Sequence, residues 1–337
     1  MYEICYVIPT FNRFEQIKRT IAQLINVNEQ CGVNYSIFLM DNSTVTDTHN
    51  FFSNFIHPRL TYKKREKTIS NGNLSLHTVL TEVEILADWY WWMGDDDYVL
   101  LEGLMRVKQL LTKTDVSYIH ASDVTNIPVK EEVKDIFQNL VTDIGLLDIT
   151  SFMTSQLFRR VILERIVGYI NNTKSNWDFN FNQSLFLSRA LWSENGVVVN
   201  VGVVVAQNKI HFENESVNHD ASKFYDSIKG WFNLAENLIT LENYIGVKFP
   251  VKETFFYFQG KPIWYSFFKW IIKHNQFARN NIPQEDYLRI KNLIFLSHLQ
   301  NEKAIQILEL IDAATQLKSN YVDQNDAEIL DMVKMLF

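Results

Sequence analysis

Along the first 121 residues, short β-favouring apolar runs alternate with longer stretches whose apolar positions recur at helical spacing. "EICYVI" (3–8) predicts a buried strand, and behind it Phe14, Ile17, Ile21, Leu24 and Ile25 share one face of a helix. "YSIFLMD" (35–41) predicts a second strand, "RLTYKK" (59–64) a third, and "NLSLHTVLTEVEILA" (73–87) a second long helix. "WYWWM" (89–93) predicts a fourth strand, "YVLLEGLMRVKQLL" (98–111) a helix and "VSYIHA" (116–121) a fifth strand. Such alternation is the signature of βαβ units, hence of an α/β fold with a mostly parallel sheet flanked by helices.

Residues 150 to 210 hold a further helical stretch. "FNFNQSLFLSRALWSEN" then predicts a helix, and "GVVVNVGVVVAQNKI" one long or broken strand that could close the sheet. From about residue 212 the pattern is helical only, broken by polar turns such as "NNIPQED" and "LKSNYVDQND". The chain therefore divides into an α/β domain over 1–211 and an all-helical C-terminal domain over 212–337.

The predicted strands end in polar residues where the chain turns toward a helix: Pro9, Thr10, Asn12 and Arg13, then Asp41 to Thr44, then Asp95 to Asp97. Open parallel sheets bind ligands at these carboxyl ends, so the three groups are expected to line one cleft.

Charge and cysteine content narrow the chemistry. With 32 basic against 39 acidic residues the formal net charge is −7, which supplies no general field for nucleic acid. Cys5 and Cys31 have no partners at metal-ligand spacing, arguing against a disulfide scaffold and a zinc site. No leader-like N-terminus and no run of roughly 18 uncharged apolar residues is present, so a cytoplasmic location is expected.

Three adjacent carboxylates behind an apolar strand repel one another and need a compensating cation. Hard ions such as Mg²⁺ or Mn²⁺ suit them when phosphate oxygens and water complete the shell. The alternative is that Asp97 caps a helix starting near Tyr98 while its neighbours face water. "GxGxxG" after the first strand, "GxxxxGK[ST]" and "HExxH" are all missing, which weakens dehydrogenase, P-loop and zincin readings.

Taken in order, "VIPTFNR", "MDNST", "NGN" and "GDDD" resemble the inverting family-2 glycosyltransferases of the GT-A fold over residues 3 to 210. The resemblance implies metal-dependent transfer of a sugar from a nucleotide-diphosphate sugar to a hydroxyl of a glycan or lipid-linked acceptor, in bacterial capsule, O-antigen or related polysaccharide synthesis. It places Pro9, Thr10 and Arg13 in the nucleotide pocket, Asp41 at the base, and Asn71 to Asn73 near ribose or diphosphate. Asp95 and Asp96 would face ribose or sugar, and Asp97 or Asp95 the metal. The sequence departs from the pattern at Gly94, where the family more often has aspartate, and at Asn42, where a second acid is common.

An inverting transfer needs a base for the acceptor's proton. By resemblance this falls on Asp178 in "NWDFNFNQ", with Asp143 and Asp148 as fallbacks; the competing reading makes Asp178 the cap of a helix near Phe179. His211 stands where some relatives place a further metal ligand, with His219 as rival, though a histidine there can simply be a satisfied polar residue. Trp89 to Trp92 are expected in the core.

Near the C-terminus, Trp264, Phe267, Phe268, Ile271 and Ile272 with Lys261, Lys269, Lys273 and Arg279 form a basic, aromatic amphipathic pattern. Packing against the protein or a second copy is its first reading and peripheral contact with the inner face of the cell membrane its second. Two other functions stay open: a sugar-1-phosphate nucleotidyltransferase, which would want a glycine-rich loop where "PTFNRFEQ" has none, and a non-catalytic glycan-binding assembly subunit.

Overall fold

The computed structural model describes residues 2–69, 72–121, 132–150, 152–172, 182–199 and 205–207, with short stretches at 257–258 and 261–262. The chain forms two compact units: Met1–Trp177 with Phe181–Asn218, and His219–Phe337 with Asp178–Asn180.

The first unit opens with β1 (Tyr2–Thr10), α1 (Phe14–Cys31), β2 (Tyr35–Asp41), α2 (Asp47–Phe52), β3 (Leu60–Lys64), α3 (Gly72–Thr78) and β4 (Ala87–Trp92). β5 (Asp97–Val99), α4 (Leu101–Leu111), β6 (Tyr118–Ala121), β7 (Val133–Ile136), α5 (Phe137–Ile144) and α6 (Leu146–Thr150) follow. β8 (Gln156–Arg159), α7 (Arg160–Asn172), α8 (Asn182–Leu191), β9 (Asn195–Val199) and β10 (Val205–Gln207) complete its described elements. Among the described residues eight strands make one sheet in the order β3-β2-β1-β4-β8-β6-β9-β7.

β1 to β4 run parallel, and so do β6 and β9, while β8 is antiparallel to both β4 and β6. β8 thus enters the sheet from the edge where β4 and β6 leave it. Its first residue, Gln156, pairs with Trp92 and His120, so the segment before β8 arrives at the carboxyl ends of those strands.

β1 and β2 are buried on both faces over most of their length, which explains why they read as continuous apolar runs. α1 buries Ile17, Thr20, Ile21, Leu24 and Val27 at helical spacing and ends on Gly32, whose φ of 64° closes the helix. Lys108 of α4 donates to the carbonyls of Cys31 (2.8 Å) and Gly32 (3.0 Å), satisfying the helix end.

The aromatic wall is core, as expected: Trp89 and Trp91 are fully buried, and Tyr90 and Trp92 nearly so. Trp91 stacks on Tyr6 with centroids 5.4 Å apart, and its Nε1 donates to the Thr154 carbonyl at 2.7 Å.

Two predicted helices are shorter than their periodicity suggests. Residues 98–100 belong to β5 and its exit, because Tyr98 and Val99 pair with β10 and Gln23 of α1 accepts from the Val99 N–H at 3.4 Å. The 73–87 helix stops in a 3₁₀ turn over Val79–Glu82, and the Tyr90 hydroxyl takes the Ile85 carbonyl at 2.8 Å, drawing it out of helical pairing.

In the second unit the described residues are an antiparallel pair, β11 (Tyr257–Phe258) with β12 (Lys261–Pro262). An entirely helical C-terminal region is corrected to that extent: Tyr257 and Phe258 are β-favouring aromatics, and they take up strand pairing. The amphipathic pattern beyond Pro262 lies outside the described residues. No helix among those described is long and apolar enough to cross a membrane.

Candidate functional site

β1 lies between β2 and β4, so the three polar strand ends meet on one edge of the sheet. Thr10 donates from Oγ1 to Asp95 Oδ2 at 2.7 Å, and Arg13 Nη1 donates to Asp95 Oδ1 at 2.9 Å and Asp96 Oδ2 at 3.0 Å. Thr20, on the buried face of α1, donates to the Asp95 carbonyl at 2.9 Å.

Asn12 takes a φ of 55°, a conformation that asparagine tolerates better than most residues. There its N–H donates to Ser43 Oγ at 2.8 Å and its Oδ1 accepts from the Thr44 N–H at 2.9 Å. The loops after β1, β2 and β4 are thus tied to one another. Pro9, which has no N–H to give, is buried and sits beyond Val7, the last β1 residue paired with β4.

The three aspartates gather around Gly94. A Cβ placed there would meet Asp97 Oδ2 at 2.6 Å and Asp96 Oδ1 at 3.3 Å. Any side chain at this position would push the Asp97 carboxylate from its present place, so this arrangement of the carboxylates goes with glycine. The Gly94 N–H donates to Thr154 Oγ1 at 2.8 Å, and the Thr154 hydroxyl donates to Asp97 Oδ2.

Asp97 is not a helix cap, because it lies in β5 and the residue preceding α4 is Leu100. Burial, reinforced by Asp96, raises the Asp97 carboxyl to about 7. Asp95 is also raised by burial, against the opposing effect of Arg13.

Among the described residues no three or more His, Cys, Asp or Glu side chains form a ready-made metal cage. A one-sided set of hard carboxylate oxygens is what Mg²⁺ or Mn²⁺ needs when diphosphate oxygens and water supply the rest. A buried carboxyl at Asp97 held this far from easy ionisation fits such a cation, with Asp95 and Asp96 beside it.

Asp41 is fully buried and well supplied with donors. The Ser43 N–H donates to Oδ1 at 2.7 Å, while the Tyr62 hydroxyl (2.8 Å) and Lys64 (3.3 Å) donate to Oδ2. Asn42, in place of the second acid, exchanges two 2.9 Å hydrogen bonds with the backbone of Ile69 and so pins the loop leading to α3. Buried Arg65 clamps α3 through Ser75 Oγ (2.8 Å) and Thr78 Oγ1 (2.9 Å), and the 3₁₀ turn after it through Glu82 Oε1 (3.0 Å).

Of the sequence-selected residues, the structure brings Thr10, Arg13, Asp95, Asp96 and Asp97 together, with Pro9 and Asp41 on the same edge. Asn73 lies in the first turn of α3, and Asn71 falls outside the described residues, as do Asp178, His211 and His219. Asp148 is buried in α6 and Asp143 is exposed on α5. Arg189 is exposed on α8 and stacks on Tyr169, 4.3 Å from its ring centroid.

Sequence reasoning missed Thr154, Tyr62 and Lys64. Lys64 pairs in register with Asp41, and Tyr62 stands two residues before it on the same face of β3, a relation visible only once the strands are paired. Thr154 carries no sign either, because nothing local reveals that β8 runs backwards into the sheet.

No protein-family model matches the chain, and no curated protein matches its sequence. Solved structures do resemble it in fold. Staphylococcus aureus TarS 1–349 in complex with UDP-GlcNAc aligns with a TM-score of 0.55 at 13% identity, over 99% of this chain and 90% of that one. The mannosyltransferase PcManGT from Pyrobaculum calidifontis, in complex with GDP-Man and Mn²⁺, aligns with a TM-score of 0.50 at 14% identity, over 99% and 80%. The fold of this chain is GT-A.

Proposed function

We propose that this protein is a metal-dependent, inverting glycosyltransferase that moves a sugar from a nucleotide-diphosphate sugar to a hydroxyl of a glycan or lipid-linked acceptor, in surface polysaccharide synthesis. The observation that carries the reading is the meeting of Thr10, Arg13 and Asp95–Asp97 at the carboxyl edge of a GT-A sheet. Solved structures of the same fold hold GDP-Man with Mn²⁺ and UDP-GlcNAc, which supports the donor class.

Asp41, buried and steadied by Tyr62 and Lys64, holds in shape the end of β2 where the resemblance puts the base. Thr10 holds Asp95 for ribose or sugar, Arg13 bridges Asp95 and Asp96 before a donor binds, and Thr154 holds Asp97 through Oδ2. A bound Mg²⁺ or Mn²⁺ would be held by Asp97 with Asp95, and would stabilise negative charge on the departing diphosphate. The pairing of Gln207 with Asp97 brings the chain beside the aspartates four residues before His211, which favours His211 as a further ligand. Asp178 takes the proton of the attacking hydroxyl, a contribution of about 10²- to 10⁴-fold. The 1–211 region is the catalytic domain on this reading, and 212–337 serves acceptor, membrane or subunit contacts.

The test is a thermal-shift screen of nucleoside diphosphates and nucleotide sugars with Mn²⁺, Mg²⁺ or chelator, since a ligand of the native state raises its melting temperature. A metal-dependent shift with one diphosphate is expected, and Asp178→Asn should keep that shift while losing most turnover. No shift with any donor would overturn the reading and favour a glycan-binding subunit.

A further inference from the structure

Arg13 is placed like a cation rather than like a ligand-binding arm at rest. Its Nη1 lies 2.9 Å from Asp95 Oδ1 and 3.0 Å from Asp96 Oδ2, bridging two carboxylates of the run. Its side chain is 23% exposed and that of Asp96 33%, against 8% for Asp95, so the bridge spans from the buried floor to the mouth of the site.

A guanidinium in this position neutralises charge that a divalent ion would otherwise neutralise. It also engages acceptor lone pairs that such an ion would need. Two cations confined to neighbouring oxygens of one bend repel each other, most strongly where water is excluded. Arg13 and a divalent ion held by Asp97 and Asp95 therefore compete for Asp95 unless something anionic draws Arg13 aside. A diphosphate is suited to do so, because arginine binds phosphate oxygens in the same forked geometry as carboxylate.

We propose that Arg13 is a stand-in cation: it occupies the Asp95–Asp96 bridge in the donor-free protein and moves to the donor's diphosphate when metal and donor load together. This inference rests on the glycosyltransferase reading above. Its consequence is reciprocal coupling, in which metal binds weakly without diphosphate and diphosphate weakly without metal. The protein would then hold little free metal, and an ion would settle only where a substrate leaving group is present.

The experiment measures Mn²⁺ affinity of the full-length chain from the free-ion electron paramagnetic resonance signal, with and without UDP, and with GDP as second probe. In the unsubstituted protein the diphosphate should tighten Mn²⁺ binding by roughly 10-fold or more, within the range typical of coupled sites. Arg13→Gln should bind Mn²⁺ alone about 10-fold tighter than the unsubstituted protein, with the added gain from diphosphate falling below about 3-fold. Arg13→Lys, which keeps the charge, should keep the weak metal binding. Mn²⁺ affinity unchanged or weakened in Arg13→Gln overturns the proposal and leaves Arg13 as a strut for the aspartates. Absence of coupling in the unsubstituted protein, where UDP or GDP does bind, overturns it without any variant. If neither nucleotide binds at all, the donor reading fails separately, and the Mn²⁺ affinity of Arg13→Gln still decides whether Arg13 competes with metal.

Discussion

Asp41 ends β2 and Asp97 follows β4, the strands on either side of β1, and both carboxyl groups are buried. Their surroundings are opposite. Asp41 receives a backbone N–H, a tyrosine hydroxyl and a lysine. Asp97 receives the Thr154 hydroxyl and has Asp95 and Asp96 as neighbours, and burial holds its proton to about pH 7. The Tyr62 proton is held more firmly for a related reason, burial first and then the bond to Asp41. One aspartate is thus completed by its own fold, and on the proposed function the other is finished by a cation from outside. The same residue type at the same kind of strand end builds structure in one place and, on that proposal, a binding position in the other.

The sharpest way to break this contrast is Asp97→Ala, which on the proposed function removes metal-dependent donor binding and lowers turnover by roughly 10²- to 10³-fold or more, the range seen when one charge-stabilising group is lost. Unchanged metal-dependent donor affinity in calorimetry would move the metal elsewhere. The matching change, Asp41→Asn, should act on the fold, because Tyr62, Lys64 and the Ser43 N–H lose a charged acceptor. A loss of about 1–3 kcal/mol in denaturant unfolding is expected. Equal stability would mean that the Asp41 cluster is replaceable by neutral bonds.

The contrast sharpens with pH. Asp97 titrates near 7 when folded and near 3.8 when free, so between those values the folded chain holds a proton that the unfolded chain releases. Its stabilising contribution is therefore full below about pH 3.8 and is lost as pH rises toward 7. His120 acts in the opposite sense. Burial lowers it from 6.5 to about 3, so its contribution is full above 6.5 and lost as pH falls. In chelator, the melting temperature of Asp97→Asn minus that of the unsubstituted protein should grow from pH 5 to pH 8, a difference from which His120 cancels. A flat difference would show that Asp97 is not strained. The smallest change is Thr154→Val, expected to weaken Mn²⁺ binding by roughly 10-fold, with Thr154→Ser restoring it. Loss of affinity in the serine variant as well would point to packing rather than the hydroxyl.

Much of this was legible along the chain. The parallel half of the sheet follows from the uninterrupted apolar runs at 3–8 and 35–41, and the shared edge follows from parallel order. Asp95 to Asp97 were visible because three adjacent carboxylates directly behind a run of tryptophans are costly to keep ionised unless a cation meets them. The helical spacing from Leu101 onward extends backwards over Tyr98 and Val99 by chance, and only the pairing with Val205–Gln207 overrides it. Thr154 stayed hidden for a longer-range reason: its contact with Asp97 spans 57 residues and depends on a strand direction that local spacing does not encode.

The reversed strand β8 also sets a timetable for synthesis. β4 is complete when residue 92 emerges, yet the neighbour on its open side is made from Gln156–Arg159. From Trp92 to its partner Gln156, a ribosome adding about 5–20 residues per second needs roughly 3–13 s. During that interval the nascent chain presents Trp89 to Trp92 along an uncovered strand edge, the kind of surface that pairs with strangers. Crowded translation should therefore endanger this protein most in the seconds before β8 arrives.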